Sequence, residues 1–172
     1  MHHVYLCPSD TGGTVNRNYG ATSPPAEPGY TLNNYPVVHG AARRVGDTIP
    51  DNGNGLFGEA SSVTVDDITD GTSQTFAIGE RRLTDSGNAG AIWMRSTDRH
   101  GTAGDGTSVA GVCHRTVRLN DLTHADAFSS NHEGGAHFLL ADGTVRFISE
   151  EIDAATYEHL AHRSDGQDVS DF

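Results

Sequence analysis

Residues Ser129–Ser149 read SSNHEGGAHFLLADGTVRFIS and carry the clearest fold signal in the chain. Two short apolar runs, Ala136–Ala141 and Thr144–Ile148, flank the dipeptide Asp142-Gly143. Asp-Gly is favoured in two-residue type I′ turns, in which both central positions take positive φ. The pattern therefore predicts a β-hairpin in the C-terminal part of the chain.

The register of this hairpin follows from the length of its turn. A two-residue turn pairs Leu140 with Val145 and Phe138 with Phe147, so four apolar side chains would share one face. The other face is then more polar and carries His137, Leu139, Thr144 and Arg146. We expect the apolar face to form part of the core.

A short helix is predicted directly after the hairpin. Asp153 is suited to its N-cap, and Gly166 to its end. His162 and Arg163 suit the negative C-terminal end of a helix. Apolar residues at helical spacing follow the cap: Ala154, Tyr157, Leu160 and Ala161.

Upstream of the hairpin, residues 61–80 predict a strand, a polar turn at Asp70-Gly71 and a second strand over Thr75–Glu80, with Phe76 and Ile78 on one face. Ala91–Arg95 is a further candidate strand, and the RTVRLN run beyond Cys113 another short one.

Residues 1–60 are rich in proline and glycine and predict long surface loops around short strands, for example at Tyr35–His39. We expect one domain over residues 1–172, divided into a loop-rich section (1–60) and a section with the sheet, hairpin and helix (61–172). The predicted fold class is α+β, mainly β: an antiparallel sheet with long Gly-rich loops, a C-terminal β-hairpin and a short C-terminal helix. The chain enters an apparent strand almost at Met1, so we expect it to be part of something longer.

The charge of the chain argues against two classes of partner. Its 11 Lys and Arg residues against 23 Asp and Glu residues give a net charge of −12. Such a chain repels phosphate backbones and anionic membrane surfaces, so nucleic acid is not an expected partner. No stretch approaches the roughly 18 apolar residues that a membrane-spanning helix needs.

The histidines of the segment His132–His137, HEGGAH, are weak candidates for metal ligands. The segment has one residue more between its histidines than the zinc-protease motif, and positions i and i+5 of a helix diverge by about 140°. Gly134-Gly135 also disfavours a helix. A loop would still allow the two histidines to meet, but a structural role is the favoured interpretation.

Clustered carboxylates at Asp66, Asp67 and Asp70 suggest calcium, which prefers oxygen ligands. The competing and favoured interpretation is that these residues cap and turn the backbone. Ser, His and Asp are so plentiful that many different triads could be assembled from them, and the sequence singles out none. We therefore do not expect an enzyme.

The two cysteines, Cys7 and Cys113, lie far apart and have no CxxC partner, which excludes a zinc ribbon and a thioredoxin-like motif. A single disulfide and two free thiols both remain compatible with the residues alone.

Several motifs, taken in order, resemble the DUF1559 family, found mainly in planctomycete bacteria. The longest are YLCPSD at 5–10, DDITDGTSQTFAIGE at 66–80 and FSSNHEGGAHFLLADGTVRFISEEID at 128–153. The family signature of His, nine residues and Asp-Gly is similar to His132 followed by Asp142-Gly143. The other matching positions are Gly134, Gly135, Asp70 and Gly71, and none comes with an established catalytic role.

The resemblance implies a pilin-like or pseudopilin-like protein that is exported to the cell surface, the periplasm or the extracellular space. Family members usually carry a prepilin-type leader and a long apolar helix ahead of the CPSD motif, and we expect this sequence to correspond to the globular part without that helix. Contact with a membrane is expected only through such a helix. The expected partners are other pilin-like subunits or components of a secretion or surface assembly. Export also favours a disulfide between Cys7 and Cys113.

We therefore expect a non-enzymatic head domain with a pilin-like antiparallel sheet. In this interpretation His132 forms a hydrogen bond near the Asp142 turn and fixes the preceding loop. The alternative is an extracellular binding module for a cation such as calcium, or for a glycan or small solute, with Trp93 available for stacking. No cofactor other than calcium is expected.

Overall fold

The computed structural model describes residues 3–16, 30–41, 54–58, 61–84, 90–92, 109–169 and 171–172. Its fold class is α+β and mainly β, as predicted. The strands are β1 (Val15–Asn16), β2 (Tyr30–Asn33), β3 (Val37–Gly40), β4 (Phe76–Gly79), β5 (Ala91–Ile92), β6 (Ala110–Val112), β7 (Gly135–Leu140) and β8 (Val145–Ser149). Helix α1 spans Ala154–His159, and short 3-10 helices span His3–Tyr5, Val65–Asp67 and Thr72–Gln74. Within these ranges, no helix combines the length and the hydropathy needed to cross a membrane.

The strands form two sheets. The larger has the order β6-β3-β4-β7-β8, and the smaller the order β1-β2-β5. All neighbouring strands are antiparallel except β3 and β6, which run parallel. Strand β4 thus lies at the centre of the larger sheet, between β3 and β7.

The predicted hairpin is present as β7 and β8, but its predicted turn and register are wrong. Gly143 has a φ of 88°, but Asp142 does not have the positive φ that a type I′ turn requires. Among the described non-glycine residues, only Asn120 has a positive φ. Leu140 accepts a hydrogen bond from Gly143 N at 3.0 Å and donates one to Thr144 O at 2.8 Å. This is a type I turn followed by a glycine bulge, which inserts one residue more than a type I′ turn does.

The extra turn residue shifts the register by one position. Leu139 pairs with Val145, and His137 with Phe147. A one-residue shift moves a strand's side chains to the opposite face. Phe138 is therefore fully buried, whereas Val145 and Phe147 are 63% and 47% exposed. The prediction that four apolar residues share one face is corrected accordingly.

An aromatic cluster occupies the core on the buried face of β7. Phe138 stacks on Phe76 with ring centroids 4.3 Å apart and meets Phe128 edge-on at 5.1 Å. Tyr157 of α1 packs edge-on against the rings of Phe76 and Phe138. The predicted N-cap of α1 is confirmed, because the Asp153 carboxylate accepts hydrogen bonds from the backbone N–H groups of Ala155 and Thr156.

Two other strand predictions are confirmed, a third is confirmed in its described part, and two are wrong. β3 and β4 lie where extended segments were expected. β5 covers the first two residues of the predicted strand Ala91–Arg95, and residues 93–95 fall outside the described residues. The segment after Ser61 contains a 3-10 helix instead of a strand, because Thr64 and Asp67 form a capping box around it. Beyond Cys113, His114 and Val117 form a single bridge rather than a strand.

The predicted disulfide between Cys7 and Cys113 is wrong, since both cysteines are free thiols. Cys7 N donates to the side chain of Asn34, which lies before β3, whereas Cys113 N donates to Gly40 O at the end of β3. These two anchor points are six residues apart along an extended segment, or roughly 20 Å. A disulfide requires Cα atoms within about 7 Å of each other.

Candidate functional site

Three side chains from distant parts of the sequence converge at one end of β4. Cys7 Sγ lies 3.6 Å from Glu80 Oε1 and 3.6 Å from His132 Nε2. The third side of this triangle, from His132 Nε2 to Glu80 Oε1, measures 3.3 Å. We call Cys7, Glu80 and His132 the Cys-Glu-His cluster.

Cys7 is held by the turn that opens the CPSD segment. Asp10 N donates to Cys7 O at 3.0 Å. The side chain of Asn34 accepts from Cys7 N at 2.9 Å and donates to Asp10 Oδ2 at 2.5 Å. The thiol is buried as a result, with Cys7 only 7% exposed.

Glu80 comes directly after β4 and is 5% exposed. Its Oε2 accepts a hydrogen bond from the backbone N–H of His137 at 2.6 Å, and His137 Nδ1 lies 3.3 Å from the same oxygen. One carboxylate oxygen is thus held by β7. The other oxygen, Oε1, faces Cys7 and His132.

His132 belongs to the loop that leads into β7. Ser130 Oγ accepts from His132 N at 3.0 Å and donates to Gly135 O at 2.5 Å, which closes the loop. Gly134 has a φ of 79°, a conformation that favours glycine. The His132 ring meets His137 edge-on at 4.9 Å and is the most exposed member of the cluster, at 28%.

The surroundings of the cluster are polar but poorly hydrated. Burial, together with the neighbouring Cys7 and Glu80, raises the pKa of the Tyr35 hydroxyl to about 12. A cavity with a volume of about 10 Å³ adjoins the cluster and is lined by Cys7, Asp10, Glu80 and Asn131 among others. Such a volume holds about one water molecule.

The arrangement differs from a catalytic triad. In a Cys-His-acid triad the acid orients the imidazole through one ring nitrogen while the other nitrogen faces the nucleophile. Here the same nitrogen of His132, Nε2, faces both the thiol and the carboxylate. Three different donor atoms directed at one point are typical of a metal site.

The residues singled out by the family resemblance lie at both ends of β7. His132, Gly134 and Gly135 lie at the cluster end, and Asp142-Gly143 forms the hairpin turn at the other. The expected hydrogen bond between His132 and the Asp142 turn is therefore absent, and this prediction is wrong. Asp142 accepts from Thr144 N and Oγ1 instead, and these hydrogen bonds lower the pKa of its carboxyl group.

The structure does not bring Asp66, Asp67 and Asp70 together as a cation site. Asp66 is exposed in the 3-10 helix, and hydrogen bonds from Thr64 to Asp67 lower the pKa of that carboxyl group. Asp70, which precedes Gly71, accepts from the backbone N–H groups of Asp165 and Gly166. It therefore joins the central motif to the segment after α1, in a structural role. His137 lies at the cluster, whereas Trp93 falls outside the described residues.

Glu80 was not among the expected site residues, and Cys7 was expected to be a disulfide partner or a free thiol. Local spacing gave no signal, because Cys7 and Glu80 are 73 residues apart and Cys7 and His132 are 125 apart. The available signal was the set of ordered motifs. YLCPSD, DDITDGTSQTFAIGE and the long C-terminal motif each contribute one member of the cluster.

Comparison with known proteins agrees with the resemblance. The family described as protein of unknown function (DUF1559), SBP_bac_10, matches residues 2–155. No curated protein and no solved structure matches the chain. The match covers most of the sequence and includes all three members of the Cys-Glu-His cluster. The chain therefore belongs to the DUF1559 family.

Proposed function

We propose that this chain is the non-enzymatic head domain of a pilin-like, exported surface protein with a structural or assembly role. In this proposal a long apolar helix precedes the CPSD segment and makes the contacts with the membrane and with other subunits. The head then has to be joined rigidly to that helix, since otherwise assembly through the helix would not fix the position of the head.

The observation that carries the proposal is the attachment of the CPSD segment to the larger sheet. Asp10 Oδ2 accepts from Asn34 Nδ2 at 2.5 Å and from Leu83 N at 2.8 Å. Asn131 Nδ2 donates to Ser9 O at 3.0 Å. These bonds tie the segment to residues before β3, after β4 and before β7, so a helix continuing upstream would be fixed to three parts of the fold.

The proposal is tested in the native host with the complete gene. N-terminal sequencing of the mature protein is expected to show cleavage just before an apolar helix, and protease treatment of intact cells is expected to degrade the head. An unprocessed protein retained inside the cell would contradict the proposal.

The role of the attachment is tested with Asp10→Asn in the complete protein. We expect reduced recovery of the protein in surface assemblies, because the bonds to Asn34 and Leu83 are weakened. Asp121→Asn is the matched control, since the Asp121 carboxylate accepts hydrogen bonds from the nearby Thr123. Equal assembly of both variants would argue against a rigid junction.

A binding module for a glycan or small solute is the second candidate function. A groove of about 360 Å³ lies between β8, α1 and the last residues, with Phe147, Ile152, Thr156 and Phe172 among its lining residues. Its size falls within the range of small-molecule sites, and its two aromatic rings suit stacking on a sugar. A glycan array with the unmodified chain and Phe147→Ala tests this function, and it is abandoned if no glycan distinguishes the two.

A further inference from the structure

We propose that Cys7, Glu80 and His132 form a zinc site with three protein ligands and a fourth position open to water or an exchangeable ligand. The inference does not depend on the proposed head-domain function, because it rests on the geometry and chemistry of the cluster alone.

The dimensions of the cluster fit zinc. Zinc binds sulfur at about 2.3 Å, imidazole nitrogen at about 2.0–2.1 Å and carboxylate oxygen at about 2.0–2.2 Å, in tetrahedral geometry. Ligand atoms at tetrahedral angles are then separated by about 3.6 Å (S to N), about 3.6 Å (S to O) and about 3.4 Å (N to O). The observed separations are 3.6, 3.6 and 3.3 Å.

The donor types favour zinc over calcium. A thiolate and an imidazole are ligands for zinc and other borderline or soft ions, whereas calcium takes oxygen ligands. Binding requires the Cys7 thiolate, so the thiol proton is released to solvent as the zinc–sulfur bond forms. The ion would also compensate the charge of Glu80, a carboxylate that is only 5% exposed.

The neighbours of the cluster prepare it for one ion. His137 holds Glu80 Oε2 through its backbone N–H at 2.6 Å and places Nδ1 3.3 Å away, so that Oε1 alone faces the other ligands. Hydrogen bonds of this kind orient metal ligands in known sites. Because His132 is 28% exposed, the fourth position is expected on its side, toward solvent.

Zinc binding is measured first on the unmodified chain. Chelator-treated protein is titrated with zinc in competition with a chromophoric chelator, and separately with cobalt(II). We expect one zinc ion per chain and a cobalt complex with a thiolate-to-metal charge-transfer band. No zinc binding in the micromolar range, or a cobalt complex without that band, would overturn the proposal.

Ligand variants then locate the site. Cys7→Ser and His132→Gln are each expected to weaken zinc binding by more than roughly 100-fold, and His137→Gln by roughly tenfold, as for residues that orient a ligand. Cys113→Ala and His124→Gln are the matched controls. His124 lies 3.8 Å from Asp121 and is not part of the cluster. Binding that survives Cys7→Ser or is lost in either control would place the ion elsewhere and refute the proposal.

A measurement without substitutions covers the case in which a ligand variant fails to fold. The rate of Cys7 alkylation in the unmodified protein is followed by peptide mass spectrometry with and without zinc. We expect zinc, but not magnesium, to slow the modification of Cys7. An unchanged rate at saturating zinc would overturn the proposal.

Discussion

The turn between β7 and β8 predicts that two phenylalanines nine residues apart differ sharply in their contribution to stability. Phe138 is fully buried and stacks on Phe76 at 4.3 Å. Removing such a ring costs about 3–5 kcal/mol of the free energy of unfolding, from lost burial and the cavity that remains. Phe147 is 47% exposed, so its side chain buries only about half of its surface, and Phe147→Ala removes only that buried half. Since full burial contributes about 1.5–3 kcal/mol, Phe147→Ala is expected to cost about 1 kcal/mol.

Equilibrium urea unfolding of Phe138→Ala, Phe147→Ala and the unmodified chain measures both values. A type I′ turn would pair the two rings on the core face, so both substitutions would then cost similar amounts. The glycine bulge places them on opposite faces and predicts a difference of about 2–4 kcal/mol. Equal costs within error would refute the bulged register and the face assignment that follows from it.

Three further predictions concern single groups. Asp153→Ala removes the N-cap of α1 and is expected to cost about 1 kcal/mol, measured by urea unfolding against Asp153→Asn, which keeps a capping oxygen. Gly79→Ala places a methyl group against the rings of Phe128 and Phe138 and is expected to cost about 1–3 kcal/mol in the same assay. Burial lowers the pKa of His162 in the folded state below its ordinary value of 6.5. The unfolded state therefore binds more protons, and stability is expected to fall as the pH decreases below about 6.5. His162→Asn should reduce this slope in melts between about pH 7 and pH 5, and an unchanged slope would contradict the assignment.

Much of the fold was readable because its signals are local. The hairpin, the N-cap of α1 and the strand before Glu80 each depend on residues close together in sequence. The register was not readable, because Asp-Gly also suits a type I turn followed by a bulge when the preceding residue enters the turn. Ala141 does so here, and its N–H donates to Thr75 O at 2.8 Å, a contact from another part of the chain. Tertiary packing therefore decided between two turns that the dipeptide allows.

The candidate site was readable only in part, for a similar reason. His132 was singled out by the family signature, and both His132 and His137 were weak candidates for metal ligands. Glu80 stood at the end of a strand with no feature of its own. Its partners come from segments 52 or more residues away in sequence, and spacing rules for metal sites apply only to ligands on one local element. The disulfide prediction failed because compartment and cysteine count say nothing about where along a sheet two thiols lie, and these two lie near opposite ends of β3.

The fixed spacing between His132 and Asp142 acquires a physical meaning from β7. At the turn end, Ala141 N and Asp142 N donate to Thr75 O and Thr72 O. At the other end, His137 N donates to Glu80, the residue that follows β4. Strand β7 therefore has two attachments to the same neighbouring segment, and His137 and Ala141 are four residues, or roughly 13 Å, apart along it. Removing one residue from β7 would turn the side chains beyond the deletion to the opposite face. The turn could then not keep its contacts with Thr72 and Thr75 while the Cys-Glu-His cluster keeps its own contacts. The spacing between His132 and Asp142 is therefore set by β7, the strand that joins the cluster to the turn.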